Sequence, residues 1–230
     1  MNIIPLAWDS DFFGLRIAKA ELKSCNDIQL LLSNFKDLKE KLDLIYVFCT
    51  PGIMEPSNSM RLVDRKATFS LAPPFHASVC PAIREWESSD ITDELLQLAL
   101  TSGKYSRFRL DDKLPSGSYQ RLYSHWIRQS VNRHNATNIF CYFENDLPVG
   151  MATLDLGAEN GTIGLVAVNE QHQHRGIGRS LMKHVINYCG QTDCKTISVV
   201  TQLDNAAACR LYEKSGFQLE SVVEVWHWWL

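Results

Sequence analysis

The chain has 230 residues, enough to bury a full core as one large or two small domains. With 45% hydrophobic and 21% charged residues it has the balance of an ordinary globular protein, and a net charge of −3 gives no electrostatic reason to bind nucleic acid. Its seven cysteines are odd in number and form no Cys-x-x-Cys pair, which argues against a disulfide framework or zinc ribbon and for a reducing cytoplasm.

No apolar run reaches the roughly 18–20 residues of a membrane helix, and no basic stretch precedes the first apolar residues, so neither membrane insertion nor a signal peptide is expected. In chain order, Ile3 to Leu6 and Arg16 to Leu22 read as strands. Asp27 to Leu42 has helical spacing through Ile28, Leu31, Leu32, Phe35 and Leu38. Leu44 to Cys49 is a continuous apolar run, as in a strand covered on both faces. Thr68 to Leu71 reads as another strand, and Pro73-Pro74, with Pro81 beyond, marks a linker. The expectation is a smaller N-terminal α/β domain over residues 1–75 and a second domain over 76–230.

The second part opens with Ile83 to Trp86, after which Ser89-Asp90 offers a cap for a helix through Leu95, Leu96, Leu98 and Leu100. Gly103 to Gly117 reads as a loop. Tyr119 to Val131 is amphipathic, with Leu122, Tyr123, Trp126 and Ile127 on one face. Asn138 to Glu144 and Val149 to Leu156 flank a turn and predict a hairpin. The apolar run Thr162 to Val168 leads into Gln171-His172-Gln173-His174-Arg175-Gly176-Ile177-Gly178-Arg179, and a helical pattern follows from Ser180 to Tyr188. Lys195 to Val200 is a β-branched strand, Asp204 caps a helix that ends at Gly216, and Leu219 to Trp229 closes the chain as an aromatic strand.

A strand, a glycine turn and a helix aim backbone N–H groups and a positive dipole end at one spot, which suits a pyrophosphate. The lysine-containing phosphate loop is absent, and the Gly-x-Gly-x-x-Gly fingerprint fails at Leu181. What stands is Gln173-x-x-Gly176-x-Gly178. It resembles the acetyl-CoA signature of the GNAT N-acetyltransferase superfamily. The later Asn205, Ala208, Leu211, Tyr212, Gly216 and Phe217 resemble that superfamily's second signature, in the expected order. The resemblance implies a GNAT fold: a mixed central sheet flanked by helices. Trp8 to Gly14, Ser106 to Arg109 and Tyr123 to Ile127 are similar to stretches of the TDP-fucosamine acetyltransferases, bacterial nucleotide-sugar enzymes of surface-polysaccharide synthesis.

The resemblance implies acetyl-CoA as cosubstrate, held by the backbone of Val166 and Val168 and by N–H groups from Gln173 through His174, Arg175, Gly176, Ile177, Gly178 and Arg179. The superfamily usually has glycine where this chain has His174. Asn205 is implied as a pantetheine contact, although capping its own helix is the other reading. The N–H of Val168 is implied as the oxyanion donor and Tyr212 as the general acid. Tyr212 lies seven residues after Asn205, two helical turns along the same face. A phenol of pKa about 10 stays protonated at pH 7 and can protonate a departing thiolate. No general base is identifiable. His172 and His174 sit at i and i+2 with no nearby set of acids or cysteines, which is poor support for a metal. Cys209 has no local histidine partner for covalent catalysis.

On the acceptor side, Arg107 and Arg109 suit a diphosphate and Phe108, Tyr119 or Tyr123 a base; core packing and helix-flanking charge explain them equally. The expected reaction is acetyl transfer to the amine of a TDP-linked 4-amino-6-deoxyhexose, by an enzyme that the resemblance implies to be a homodimer. Other amines, or a non-catalytic CoA-binding module, are the alternatives.

Overall fold

The computed structural model describes residues 2–57, 59–72 and 80–230. In chain order its elements are β1 (Ile3–Pro5), α1 (Ala7–Phe13), β2 (Ile17–Leu22), α2 (Cys25–Ser33), α3 (Phe35–Lys41), β3 (Leu44–Cys49), β4 (Met60–Leu71) and β5 (Ile83–Glu85). Then come α4 (Asp93–Ser102), α5 (Arg107–Leu110), α6 (Ser118–Val131), β6 (Asn138–Glu144), β7 (Leu147–Leu156) and β8 (Asn160–Val168). A 3-10 turn at Glu170–His172 precedes α7 (Ile177–Cys189), β9 (Thr196–Gln202), α8 (Ala206–Lys214) and β10 (Gln218–Trp229).

Among the described residues the strands form one ten-stranded sheet, in the order β1-β2-β3-β10-β4-β9-β8-β7-β6-β5. The sheet is mixed: β2 and β3 are parallel, as are β8 and β9, and the other neighbours are antiparallel. β10 lies between β3 and β4, so it joins β1, β2 and β3 to the same sheet as the later strands. The Pro73-Pro74 linker lies outside the described residues.

Alternation along the strands gives each face its own core. On one face Ala67, Phe69, Ile197 and Val199 meet Leu181, Val185 and Tyr212 of α7 and α8, and Trp226 and Trp228 meet Leu31 and Phe35 of α2 and α3. On the other, Leu44 and Tyr46 meet Phe108, Leu122 and Tyr123 of α5 and α6, and Met151 and Ala167 meet Leu95 and Leu98 of α4.

Several boundaries differ from the sequence pattern. The helix expected over Asp27 to Leu42 breaks at Asn34, because the Asn34 side chain donates to the Leu30 carbonyl at 2.7 Å and the backbone leaves helical geometry there. α4 is capped by Thr92, whose Oγ1 accepts from the Leu95 N–H, and not by Ser89 or Asp90. The Gly103 to Gly117 loop holds the single turn α5. β4 starts at Met60, eight residues before the apolar part of it that the sequence displays. The cap of α8 is Asn205, since its Oδ1 accepts from the Ala208 N–H at 3.2 Å; Asp204 instead pairs with Arg65. At the other end of α8 the Phe217 N–H reaches the Tyr212 carbonyl and the Gly216 N–H reaches that of Glu213, with Gly216 at φ 97°. That is a Schellman stop, closed by the Tyr212–Phe217 ring contact at 6.0 Å.

Candidate active site

Two neighbouring strands part company at the centre of the sheet. β8 and β9 pair from Asn160/Thr196 to Ile163/Val199. Beyond that point β8 runs on to Val168 and β9 to Gln202, and residues of both line one cavity of about 840 Å³. A bulge in the β7–β8 register, between Ala152 and Leu154, marks the same level.

The free edge of β8 carries an ordered set of polar groups. The Leu165 N–H bonds Thr153 Oγ1 at 2.8 Å and the Asn169 N–H bonds the Val149 carbonyl at 2.8 Å, so both point toward β7. Backbone direction alternates along a strand, so the N–H groups of Val166 and Val168 point the other way, into the gap. The Val168 carbonyl faces that gap too, and the Gln173 amide donates to it at 3.1 Å. An extended amide chain laid beside β8 would therefore meet the donors a missing strand would.

The glycine turn sits where that edge ends. Gly176 is the N-cap of α7 at φ 82°, in the left-handed region that favours glycine, and no side chain caps the helix. The first intrahelical bond runs from the Ser180 N–H to the Gly176 carbonyl, which leaves the N–H groups of Ile177, Gly178 and Arg179 for an anion. Gly178 packs closely: a Cβ there would meet Leu211 Cδ2 at 3.3 Å. His174 takes φ 62°, so the non-glycine residue adopts the left-handed backbone that the loop demands. Gln173, His174, Gly176, Ile177, Gly178 and Arg179 line the cavity, whereas Arg175 turns aside to Glu144 at 2.9 Å. The Ile177 side chain belongs to the core, leaving only its backbone to the site.

Asn205, Leu211 and Tyr212 bring α8 to the cavity. Asn205 spends its oxygen on the helix cap, and its amide N–H₂ takes no partner among the described residues. Both sequence readings of Asn205 are thus compatible. Tyr212 is 4% exposed, with its ring 5.7 Å from that of Phe69. Its hydroxyl makes no hydrogen bond to the described residues, and burial pushes the phenol pKa far up.

On the opposite face, Arg107, Phe108 and Tyr123 line the cavity. The Arg107 guanidinium lies 4.4 Å from the Phe108 ring centroid and 5.0 Å from that of Tyr46, and its buried Nε has no partner among the described residues. Phe108 is a core ring stacked on Phe13 at 5.5 Å. Tyr123 is buried, which pushes its phenol up to about 12. Arg109 and Tyr119 line a second hollow instead. The two arginines therefore do not converge on one group.

Sequence reasoning missed Asp64 and Lys66, which line the same cavity from β4. Asp64 is 8% exposed and its Oδ1 has no hydrogen-bond partner among the described residues. Burial raises its carboxyl to about 6, against the pull of Arg107 and Lys66. The signal that could have found it is a lone acid inside a strand whose other end is apolar. His172 holds Asn169 at 3.3 Å and stands 3.6 Å from Glu144, and among the described residues no group of three metal-ligating side chains occurs. Nor is any described helix long and apolar enough to cross a membrane.

Known proteins bear on this geometry. The dTDP-fucosamine acetyltransferase of Escherichia coli O6:H1 is 26% identical over 222 residues, 96% of this chain and 95% of that protein. The spore coat polysaccharide biosynthesis protein SpsD of Bacillus subtilis is 22% identical over 96% of this chain and 81% of its own length. A crystal structure of a GNAT-family acetyltransferase from Novosphingobium aromaticivorans shares the fold, with a TM-score of 0.52 at 14% identity over 86% of this chain and 80% of that one. Residues 95–217 match the acetyltransferase (GNAT) family, and the chain belongs to it.

Proposed function

We propose that the protein transfers the acetyl group of acetyl-CoA to the amine of a TDP-linked 4-amino-6-deoxyhexose. The observation that carries the reading is the parting of β8 and β9, which opens a passage through the sheet between a cofactor face and a charged acceptor face. Support for the acceptor comes from the relatives matched along nearly the whole chain, one of them a dTDP-fucosamine acetyltransferase.

In this reading the Val166 N–H pairs with the pantetheine arm, and the N–H groups of Ile177, Gly178 and Arg179 hold the pyrophosphate. Val168 N–H donates to the oxygen that gains charge as the amine attacks the thioester carbon. Asp64 takes the proton that the amine loses. Tyr212 gives a proton to the sulfur as the C–S bond breaks. Arg107 meets the diphosphate of the acceptor.

The test is incubation with acetyl-CoA and a panel of amines, read by release of free thiol. The expected result is a kcat/KM for the TDP-aminosugar far above those for amino acids and polyamines. A simple amine that outperforms it would replace the acceptor. Thermal stabilisation by acetyl-CoA with no thiol release from any amine would leave a CoA-binding module without catalysis.

A further inference from the structure

α5 is one turn long, too short to hold itself, yet it carries Arg107 into the cavity. Its ends are fastened from outside. At its start Ser106 Oγ accepts from the Phe108 N–H. At its end the Asp111 N–H closes on the Arg107 carbonyl at 3.0 Å. The Asp111 carboxylate is then tied down on both oxygens. Oδ1 accepts from the Lys113 N–H at 3.1 Å, and Oδ2 accepts from Trp229 Nε1 at 3.0 Å and from His227 Nδ1.

The Asp111 and His227 side chains are 1% and 0% exposed. Burial lowers the imidazole pKa, and because Nδ1 faces a carboxylate oxygen it is the nitrogen that carries the proton and donates. For Asp111, burial alone would raise the carboxyl, and the hydrogen bond from His227 brings it below the usual range. His227 stands opposite Tyr46 in the β10–β3 register, with the two rings 4.7 Å apart and 24° from parallel. Tyr46 in turn lies under the Arg107 guanidinium at 5.0 Å. The contacts close a circuit: Arg107 to Asp111 through α5, Asp111 to His227, His227 to Tyr46, and Tyr46 back to Arg107.

Burying a carboxylate and an imidazole together is a poor way to gain stability, and neither group lines the cavity between β8 and β9. We propose that Asp111 and His227 are positioning residues that set the Arg107 guanidinium for the acceptor. This rests on the reading of Arg107 as the acceptor contact.

The test is a double-mutant cycle on acceptor KM, with acetyl-CoA affinity measured in parallel. His227→Phe keeps the ring on Tyr46 and removes the donor to Asp111. It is expected to raise acceptor KM roughly tenfold, since small misplacements of a positioning group cost that much or more, and to leave acetyl-CoA affinity unchanged. His227→Asn, which retains a donor near Nδ1, should recover most of the loss. In an Arg107→Ala background, His227→Phe should add nothing. If His227→Phe does not fold, Trp229→Phe removes the other hydrogen bond to the same oxygen and should shift acceptor KM in the same direction. An unchanged acceptor KM in a folded variant, or an effect that simply adds to that of Arg107→Ala, overturns the proposal. An Arg107→Ala enzyme with normal acceptor KM removes the acceptor reading itself, and this proposal with it.

Discussion

Asp64 and Tyr212 line one cavity from opposite faces of the sheet. Asp64 is register partner to Val225, on the side where His227 meets Tyr46, whereas Tyr212 packs on Phe69 across the sheet. The gap between β8 and β9 joins the two sides. In the proposed reaction a thioester held in that gap would meet a buried carboxylate on its amine side and a buried phenol on its sulfur side, as proton transfer in opposite directions needs.

Asp64→Asn is expected to lower kcat by about 10²–10⁴, the usual loss for a general base. In the wild type, kcat/KM should fall as pH drops through about 6, where Asp64 takes up its proton. The stability consequence has the opposite sign. The folded carboxyl titrates near 6, above its ordinary 3.8, so the folded state gains stability as pH falls through that window and carries the burial penalty in full above it. Asp64→Asn should therefore melt higher than the wild type at pH 7.5 while being less active. Thermal melts and initial rates across pH 4.5–8 check both. A fully active variant would dismiss Asp64 as the base.

The arginines separate into two roles. Arg107 lines the cavity, and Arg109 lines the second hollow 5.7 Å from the Tyr119 ring. Arg107→Ala is expected to raise acceptor KM by about ten- to a hundredfold, the equivalent of losing a charged hydrogen bond of roughly 1.5–3 kcal/mol. Arg109→Ala should change it less than twofold. Steady-state kinetics with the acceptor varied at saturating acetyl-CoA distinguish them. Equal effects would mean that the acceptor spans both hollows.

The glycine turn and the helix after it were legible as local structure because their signals are local. Gly176 and Gly216 each hold a left-handed backbone, and Asn205 caps the helix that carries Tyr212. β4 was legible only from Thr68 onward. Arg61, Asp64, Arg65 and Lys66 break the apolar alternation there, and two of them do so because they face the cavity. The contact of His227 with Asp111 joins residues 116 apart, and the insertion of β10 between β3 and β4 is equally non-local, so no window of sequence displays either. The break at Asn34 was hidden because Phe35 and Leu38 continue the apolar spacing past it.

His174 holds a left-handed backbone at φ 62° with a side chain that is exposed. A non-glycine residue there costs about 1–2 kcal/mol. His174→Gly relieves the strain but also loosens the unfolded chain, so the net gain should be smaller, about 0.5–1 kcal/mol. Denaturant unfolding of the two proteins measures it. Acetyl-CoA affinity should stay within a few-fold, because the imidazole is not required for a backbone cradle. A large loss of affinity would make the His174 side chain itself a phosphate ligand.

Tyr212→Phe removes a proton donor and keeps the ring against Phe69 and Phe217. Because the hydroxyl has no hydrogen bond to the described residues, its removal leaves no partner unsatisfied, and stability should change little. Burial raises the phenol pKa above its ordinary value of 10, so the group is protonated at neutral pH. Loss of a general acid lowers kcat by about 10²–10⁴, equivalent to roughly 3–5 kcal/mol of barrier. Acetyl-CoA affinity should barely move, since the ground-state complex needs no proton at sulfur. The defect should also shrink with an acetyl donor whose thiol has a lower pKa, because that thiolate leaves with less help. The measurement is kcat for wild type and variant with both donors. A variant within a few-fold of wild type would assign Tyr212 to packing alone, and an equal loss with both donors would mean that the phenol orients the thioester without protonating it.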